Sequence, residues 1–136
     1  MSVRRKMKIM RTKNYILTLM FAFGFLLVSR PAVSGGVKSI DPKQLDLMLQ
    51  ANPQIQLLDV REDWEVRQGK ISGSKHIPLG ELEKRLQELD PQRPIIVYCR
   101  VGNRSARAAE LLQSRGFVEV MHLKGGIEAY SVQRGL

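Results

Sequence analysis

Beyond residue 36, short apolar runs alternate with segments in which apolar residues recur every three or four positions. Runs of this length are typical of strands, whereas the wider spacing is typical of amphipathic helices. Strands are predicted over residues 37–40, 55–60, 94–98 and 118–121, and the stretch 71–78 is predicted to be a loop with at most a brief strand. Because the run at 55–60 is mostly apolar and strand-like segments alternate with helix-like ones, we expect an α/β fold with a largely parallel sheet that helices cover on both faces.

The segments between these runs carry helix signals. Asp41 is a typical N-cap, Pro42 suits the first helical position, and Asn52-Pro53 is expected to end that helix. The remaining predicted helices are a short one around Trp64, one along Leu79, Leu82, Leu86 and Leu89, one from Ser105 to Arg115, and one from Ile127 to about Gln133.

The positive charge of the chain is concentrated near its N-terminus. Seven of the 22 lysines and arginines precede residue 35, and no acidic residue does. From Gly35 onward the chain has 15 basic and 13 acidic residues, which gives a formal net charge of +2. A nucleic-acid binder carries its basic excess on the folded domain, so we predict no nucleic-acid partner. A chain of 136 residues has room for one ordinary domain, predicted over residues 35–136.

Residues 1–34 have the pattern of an export signal. A basic stretch precedes an apolar run of 14 residues over 15–28, and the small residues Ala32 and Ser34 stand just ahead of Gly35-Gly36. The run is shorter than the roughly 20 residues of a spanning helix. We expect a cleaved signal peptide, with an uncleaved N-terminal membrane anchor as the alternative. In both cases the domain is exported, with a periplasmic location expected, and touches the membrane only through this segment if it is uncleaved.

Cys99, the only cysteine, stands between the predicted strand at 94–98 and a polar loop that leads into a helix. One cysteine cannot form an internal disulfide. The loop N–H groups, the positive end of the helix dipole and the nearby Arg100 and Arg104 favour an anionic sulfur here. We therefore predict a reactive thiol rather than a small buried hydrophobe. A side chain walled off from solvent, with the loop amides facing elsewhere, would contradict this prediction.

Four segments carry recognisable motifs, and in this order they resemble a known family. They are 57–61 with Glu62 and Glu65, 69–78, 98–105 and 123–130. Together they resemble the single-domain rhodaneses, which are sulfurtransferases, and in particular the exported phage-shock-protein-E type. The resemblance covers about Val37 to Tyr130 and implies a rhodanese-like three-layer fold. Four residues depart from the family motifs, all outside the Cys99 loop: Lys70 for His, Ser74 for Ala, His76 for Asn and Tyr130 for Trp.

The spacing from Cys99 to Arg104 distinguishes two chemistries within this resemblance. It is C-x4-R, one residue shorter than the C-x5-R loop with which related phosphatases cradle phosphate. The resemblance therefore implies a pocket for one sulfur atom. Gly102 allows the loop to close, and Asn103 tolerates a left-handed conformation. The expected substrate-binding residues are Arg100, Val101, Gly102, Asn103, Arg104 and Ser105.

The function implied is sulfur transfer by double displacement, with Cys99 as the catalytic residue. The expected partners are a small anionic sulfur donor such as thiosulfate, which Arg100 and Arg104 attract, and a thiol or cyanide acceptor. We predict neither a cofactor nor a metal site, because one cysteine and two scattered histidines do not form a ligand set. The alternatives are a non-catalytic binding module and, less favoured by the loop length, a phosphatase or arsenate reductase. The sequence predicts no particular oligomeric state.

Several other polar residues have simpler interpretations. Arg107 is expected on a solvated helix face, and Asp59 and Arg61 are expected to be scaffold, with Asp59 bonded to neighbouring backbone. His76 and His122 show no dyad or ligand spacing. Trp64 is expected to serve packing or loop closure.

The mature N-terminus tests the export prediction. We expect mass spectrometry of the protein from its native compartment to find a first residue at Gly35, because the small residues at 32 and 34 suit cleavage there. An intact Met1 in the membrane fraction would establish the anchor instead.

Overall fold

The computed structural model describes residues 36–135, so the predictions about residues 1–34 lie outside the described part of the chain. Strands and helices alternate as the sequence predicts. The strands are β1 (Lys38–Ile40), β2 (Gln56–Asp59), β3 (Lys75–His76), β4 (Ile95–Tyr98) and β5 (Val120–Leu123). The helices are α1 (Pro42–Ala51), α2 (Asp63–Arg67), α3 (Leu79–Leu82), α4 (Asn103–Ser114) and α5 (Gly126–Arg134), with a 3-10 helix (Glu83–Glu88) directly after α3. Over residues 36–135, none of the helices has the length and apolar character needed to span a bilayer.

The five strands form one sheet in the order β1-β5-β4-β2-β3. Each pairing between neighbouring strands in this sheet is parallel. The central strand β4 pairs with β2 so that Tyr98 lies beside Asp59. Because parallel strands end at a common edge, the segments that follow Asp59 and Tyr98 emerge next to each other. The predicted parallel sheet is confirmed, and this edge is where α/β folds commonly place their sites.

Helices cover both faces of the sheet, as predicted. On one face α3, the 3-10 helix and α4 bury a core that is fully shielded from water at most positions, including Leu58, Leu82, Val97, Ala108 and Leu112. On the other face α1 and α5 pack on a second cluster, which includes Leu45, Ile96, Met121, Leu123 and the partly buried Ile127. The fold is therefore a three-layer α/β structure.

The start of α1 follows from its first residues. The Asp41 side chain accepts a hydrogen bond from the Gln44 N–H at 2.8 Å, and the Gln44 side chain accepts one from the Asp41 N–H at 2.9 Å. This reciprocal pair is a capping box, which satisfies two N–H groups that the helix leaves unpaired. The predicted N-cap at Asp41 and the helix end at Asn52 are both confirmed.

The leucine-rich segment differs from its prediction. One helix was expected along Leu79, Leu82, Leu86 and Leu89, but α3 ends at Leu82 and continues as a 3-10 helix in which Arg85 leaves helical geometry (φ −119°, ψ 18°). Two of the leucine intervals are three residues long, which suits the three-residue turn of a 3-10 helix. The leucine side chains still pack toward the core, but part of the segment has the three residues per turn of a 3-10 helix.

Candidate active site

Cys99 begins the loop that joins the central strand to α4. Strand β4 ends at Tyr98 and α4 begins at Asn103, two residues earlier than the sequence predicted. The helix begins there because Gly102 adopts φ +108° and its carbonyl accepts the first helical hydrogen bond, from the Ala106 N–H at 3.1 Å. Such a φ is strained for a residue with a side chain. The loop is thus only four residues long.

The sulfur of Cys99 lies inside this loop. The Gly102 N–H donates a hydrogen bond to Sγ at 3.1 Å, and the hydroxyl oxygen of Ser105 lies 3.6 Å from Sγ. The Ser105 hydroxyl in turn donates to the Gly102 carbonyl at 2.9 Å, and its side chain is fully buried. The structure therefore brings together three of the predicted site residues, with the Gly102 amide donating to the sulfur and the Ser105 hydroxyl oxygen accepting from the thiol.

The first turn of α5 holds the loop from the opposite side. The Ile127 N–H donates to the Cys99 carbonyl at 2.9 Å, and the Glu128 N–H donates to the Arg100 carbonyl at 3.2 Å. A trans peptide directs its N–H opposite to its carbonyl, and no peptide among the described residues is cis. The N–H groups of Arg100 and Val101 consequently point away from α5. The loop amides are oriented by a helix that follows them by more than twenty residues in sequence.

This contact requires a glycine at position 126. A Cβ at Gly126 would lie 2.4 Å from the Cys99 and Arg100 carbonyl oxygens, and its φ of +60° also disfavours a side chain. The sequence analysis interpreted Gly125-Gly126 only as a turn. The sequence signal was a glycine pair just before a helix. Such a pair indicates close packing but does not identify the segment that packs against it, here the Cys99 loop.

Arg104 forms an ion pair with Glu65 of α2. Its two terminal nitrogens donate to the two carboxylate oxygens at 2.6 and 2.8 Å. The same carboxylate accepts the Glu62 N–H at 2.9 Å, which completes a capping box on α2. These hydrogen bonds, that of Arg104 above all, outweigh burial and lower the pKa of Glu65 to about 2. Glu65 is therefore ionised at neutral pH, and Arg104 fixes α2 against α4 while three of its five N–H donors remain for other partners.

A cavity of about 430 Å3, which we call the thiol cavity, opens on the loop. Cys99 is only 1% exposed, and the thiol cavity is where it contributes to the surface. Arg100 is more than half exposed, with its Nε 3.4 Å from a Glu128 oxygen. The full lining comprises Glu62, Trp64, Glu65, Cys99, Arg100, Val101, Asn103 and Arg104.

Three lining residues, Glu62, Trp64 and Glu65, were not predicted as site residues. Trp64 was assigned to packing or loop closure, but its side chain is 54% exposed at the cavity wall. Glu65 was noted only as part of a motif, although it is the partner of Arg104. All three lie far from the loop in sequence, so local patterns do not reveal them.

Asp59 and Arg61 form the scaffold that was expected of them. The Asp59 carboxylate accepts the Arg61 backbone N–H at 3.0 Å and a guanidinium nitrogen at 2.7 Å, and both side chains are buried. Arg61 also donates to the Gly69 carbonyl at 2.7 Å and lies over the Tyr98 ring, 5.7 Å from its centroid. Through the hydrogen bond to Gly69, this network holds the segment that carries Lys70.

None of the remaining candidates lines the thiol cavity. Arg107 is exposed on α4 and does not line the thiol cavity. His76 contacts the Arg61 carbonyl at 2.7 Å. His122 lies on β5, and burial lowers its pKa. Within the part of the chain that the structure covers, no three His, Cys, Asp or Glu side chains are grouped as metal ligands.

Comparison with known proteins agrees with this geometry. The sequence matches the Rhodanese-like domain family over residues 41–133. It is 33% identical over 95 residues to a sulfurtransferase of Allochromatium vinosum, a match that covers 70% of this chain and 89% of the relative. The crystal structure of a rhodanese-related protein from Thermoplasma volcanium superposes with a TM-score of 0.64 at 33% identity, covering 72% of this chain and 93% of that one.

A further relative matches over a shorter stretch. Protein YqhL of Bacillus subtilis is 41% identical over 75 residues, which cover 55% of this chain and 60% of YqhL. The chain thus spans less than two thirds of that relative. The three-layer fold and the Cys99 loop define an α/β domain of sulfurtransferase type, and the chain belongs to the rhodanese-like domain family.

The close approach of α5 to the loop can be tested at Gly126. We expect Gly126→Ala to lower the free energy of unfolding by at least about 2 kcal/mol, because the methyl group meets two carbonyl oxygens at positive φ. Urea denaturation measures this change. Gly80→Ala is the matched control, since a Cβ there meets nothing within 4 Å. Equal stability of the two variants would contradict the packing described.

Proposed function

We propose that the protein is a sulfurtransferase that carries a sulfane sulfur from a donor such as thiosulfate to a thiol or cyanide acceptor as a persulfide on Cys99. The observation that carries the proposal is the position of Sγ within a four-residue loop, where it accepts the Gly102 N–H at 3.1 Å. Amides directed at one sulfur stabilise negative charge without a metal or a side-chain base. Membership of a family with sulfurtransferase relatives supports the same reaction class.

In the first step the Cys99 thiolate attacks the outer sulfur of thiosulfate. A sulfur–sulfur bond forms to Cys99, the sulfur–sulfur bond of the donor breaks, and its electron pair leaves with sulfite. The enzyme then carries a persulfide anion, and the total charge is unchanged. We expect the N–H groups of Arg100 and Val101, which point away from α5, to act with that of Gly102 as fixed dipoles that stabilise this intermediate.

In the second step the acceptor attacks the terminal sulfur. Its bond to Cys99 breaks, and the electron pair restores the thiolate. Cyanide gives thiocyanate, and a thiolate gives a persulfide of the acceptor. Because the intermediate is covalent, one difficult transfer is divided into two simpler ones.

The two arginines of the loop contribute differently to anion binding. Arg104 is oriented by Glu65, so part of its charge is compensated there. Arg100 is 58% exposed and only loosely paired with Glu128 at 3.4 Å, an exposed pair of small energetic value. Arg100 is therefore the group that attracts the donor into the thiol cavity, while Arg104 provides remaining N–H donors to the departing sulfite.

The site of action proposed is outside the cytoplasm. Its support is the composition of residues 1–34, where basic residues precede an apolar run and a small-residue pattern. An exported enzyme meets sulfur donors and thiols of that compartment rather than those of the cytosol.

The nucleophile is tested by substitution. We expect Cys99→Ser to reduce thiosulfate:cyanide transfer to background while the circular dichroism spectrum is preserved, because serine fits the buried site but does not form a persulfide. Thiocyanate formation is the readout. Ser114→Ala, at the far end of α4, is the control and should retain full activity. Transfer activity in Cys99→Ser above background would overturn the mechanism.

A further inference from the structure

A second cavity adjoins the thiol cavity and has not been used by the mechanism. It has a volume of about 690 Å3, and it shares three wall residues, Trp64, Glu65 and Arg100, with the thiol cavity. We call it the side cavity. Its size lies within the range of about 300–1,000 Å3 that small-molecule sites occupy. Cys99 lines the thiol cavity but not the side cavity, so a ligand in the side cavity would have to extend past these shared residues to reach the sulfur.

Apolar side chains at the rim of the side cavity are unusually exposed. Trp64 is 54% exposed and Val132 of α5 is 80% exposed. Tyr130 also lines the cavity and is held in place by a hydrogen bond from its hydroxyl to Asp46 at 3.2 Å. These side chains offer a surface for the carbon skeleton of a ligand.

Among the charged side chains of the lining, Lys70 alone has no ion-pair partner within the described residues, although the exposed pair of Arg100 with Glu128 is loose. Arg61 is paired with Asp59, Glu65 with Arg104, and Arg100 with Glu128. Lys70 donates one hydrogen bond, to the Ser74 carbonyl at 3.2 Å, and forms no ion pair within the described residues. An ammonium group has three donors. Lys70 therefore presents an uncompensated positive charge to the cavity.

The side cavity is also where this chain departs from the family motifs. Two of the four departures, Lys70 and Tyr130, line it, whereas the thiol loop itself has none. The Cys99 loop thus follows the family motif, whereas two side chains that line the side cavity differ from the family motifs. A cavity that differs in this way is suited to distinguish between acceptors.

We propose that the side cavity binds the sulfur acceptor, a low-molecular-weight thiol that carries a carboxylate. The carboxylate pairs with Lys70, the carbon skeleton packs on Trp64 and Val132, and the thiolate extends past Arg100 to Cys99. The thiolate attacks the terminal sulfur of the persulfide, the bond to Cys99 breaks, and the electron pair returns to Cys99. The proposal rests on the sulfurtransferase function and specifies its acceptor class.

The test compares matched thiols on the sulfur-loaded protein. The full-length protein is loaded with thiosulfate and desalted, and loss of the extra sulfur is followed by mass spectrometry. The acceptors are ω-mercaptocarboxylates from 3-mercaptopropionate to 8-mercaptooctanoate, each beside its neutral ω-mercaptoalcohol. Lys70→Met removes the charge and keeps the aliphatic stem, Lys70→Arg keeps the charge, and Lys84→Met removes an exposed lysine that lines neither cavity.

We expect Lys70→Met to slow transfer to the carboxylated thiols about fivefold, at the chain length that the wild type prefers, because one partly exposed ion pair is lost. Transfer to the alcohols and to cyanide should be unchanged in Lys70→Met, Lys70→Arg should restore the preference, and Lys84→Met should behave as wild type.

Equal effects on charged and neutral thiols, or none, would overturn the proposal. So would a loaded protein that yields its sulfur to cyanide but to no small thiol, which would indicate a protein acceptor. A wild type that never acquires sulfur would instead contradict the sulfurtransferase function.

Discussion

Two hydrogen bonds from the first turn of α5 to the Cys99 and Arg100 carbonyls are the interaction on which the site depends. A loop of four residues has too few internal contacts to fix its own peptide planes. The α5 amides fix two of them from outside, so that the N–H groups of Arg100 and Val101 point away from α5, and the next N–H along the loop, that of Gly102, donates to the sulfur. Gly126 permits this approach, because any larger residue would collide with the same two carbonyls. The Cys99 loop is thus organised by backbone contacts from a distant element.

The site also requires that segments from different parts of the chain lie close together, and the sheet brings them together. Parallel pairing of β2 with β4 brings the segments after Asp59 and Tyr98 to one edge. From there Glu65 reaches Arg104, 39 positions further along the chain, and the pair closes one wall of the thiol cavity. Because the carboxylate has its pKa lowered to about 2, the ion pair persists through the neutral and mildly acidic range. Its contribution to stability is present above the ordinary pKa of a glutamate and is lost as the pH falls toward 2.

Much of the fold could be predicted from the sequence because its signals are local. Periodicity located the strands and helices, and Asp41-Pro42 marked the start of α1. The cysteine loop and its glycine were predicted from residues that are adjacent in sequence. The Glu65–Arg104 pair and the contact of Gly126 with the loop join residues that are far apart, and no local pattern encodes such a distance. The 3-10 segment after Leu82 was missed because the same leucine spacing suits either kind of helix.

The state of Cys99 after exposure to thiosulfate tests most directly whether the loop stabilises a persulfide. Peptide mass spectrometry of the desalted protein should find Cys99 heavier by one sulfur atom, about 32 Da, a modification that dithiothreitol removes. A Cys99 peptide of unmodified mass, from protein shown to be folded, would contradict the sulfur-carrier role of the loop.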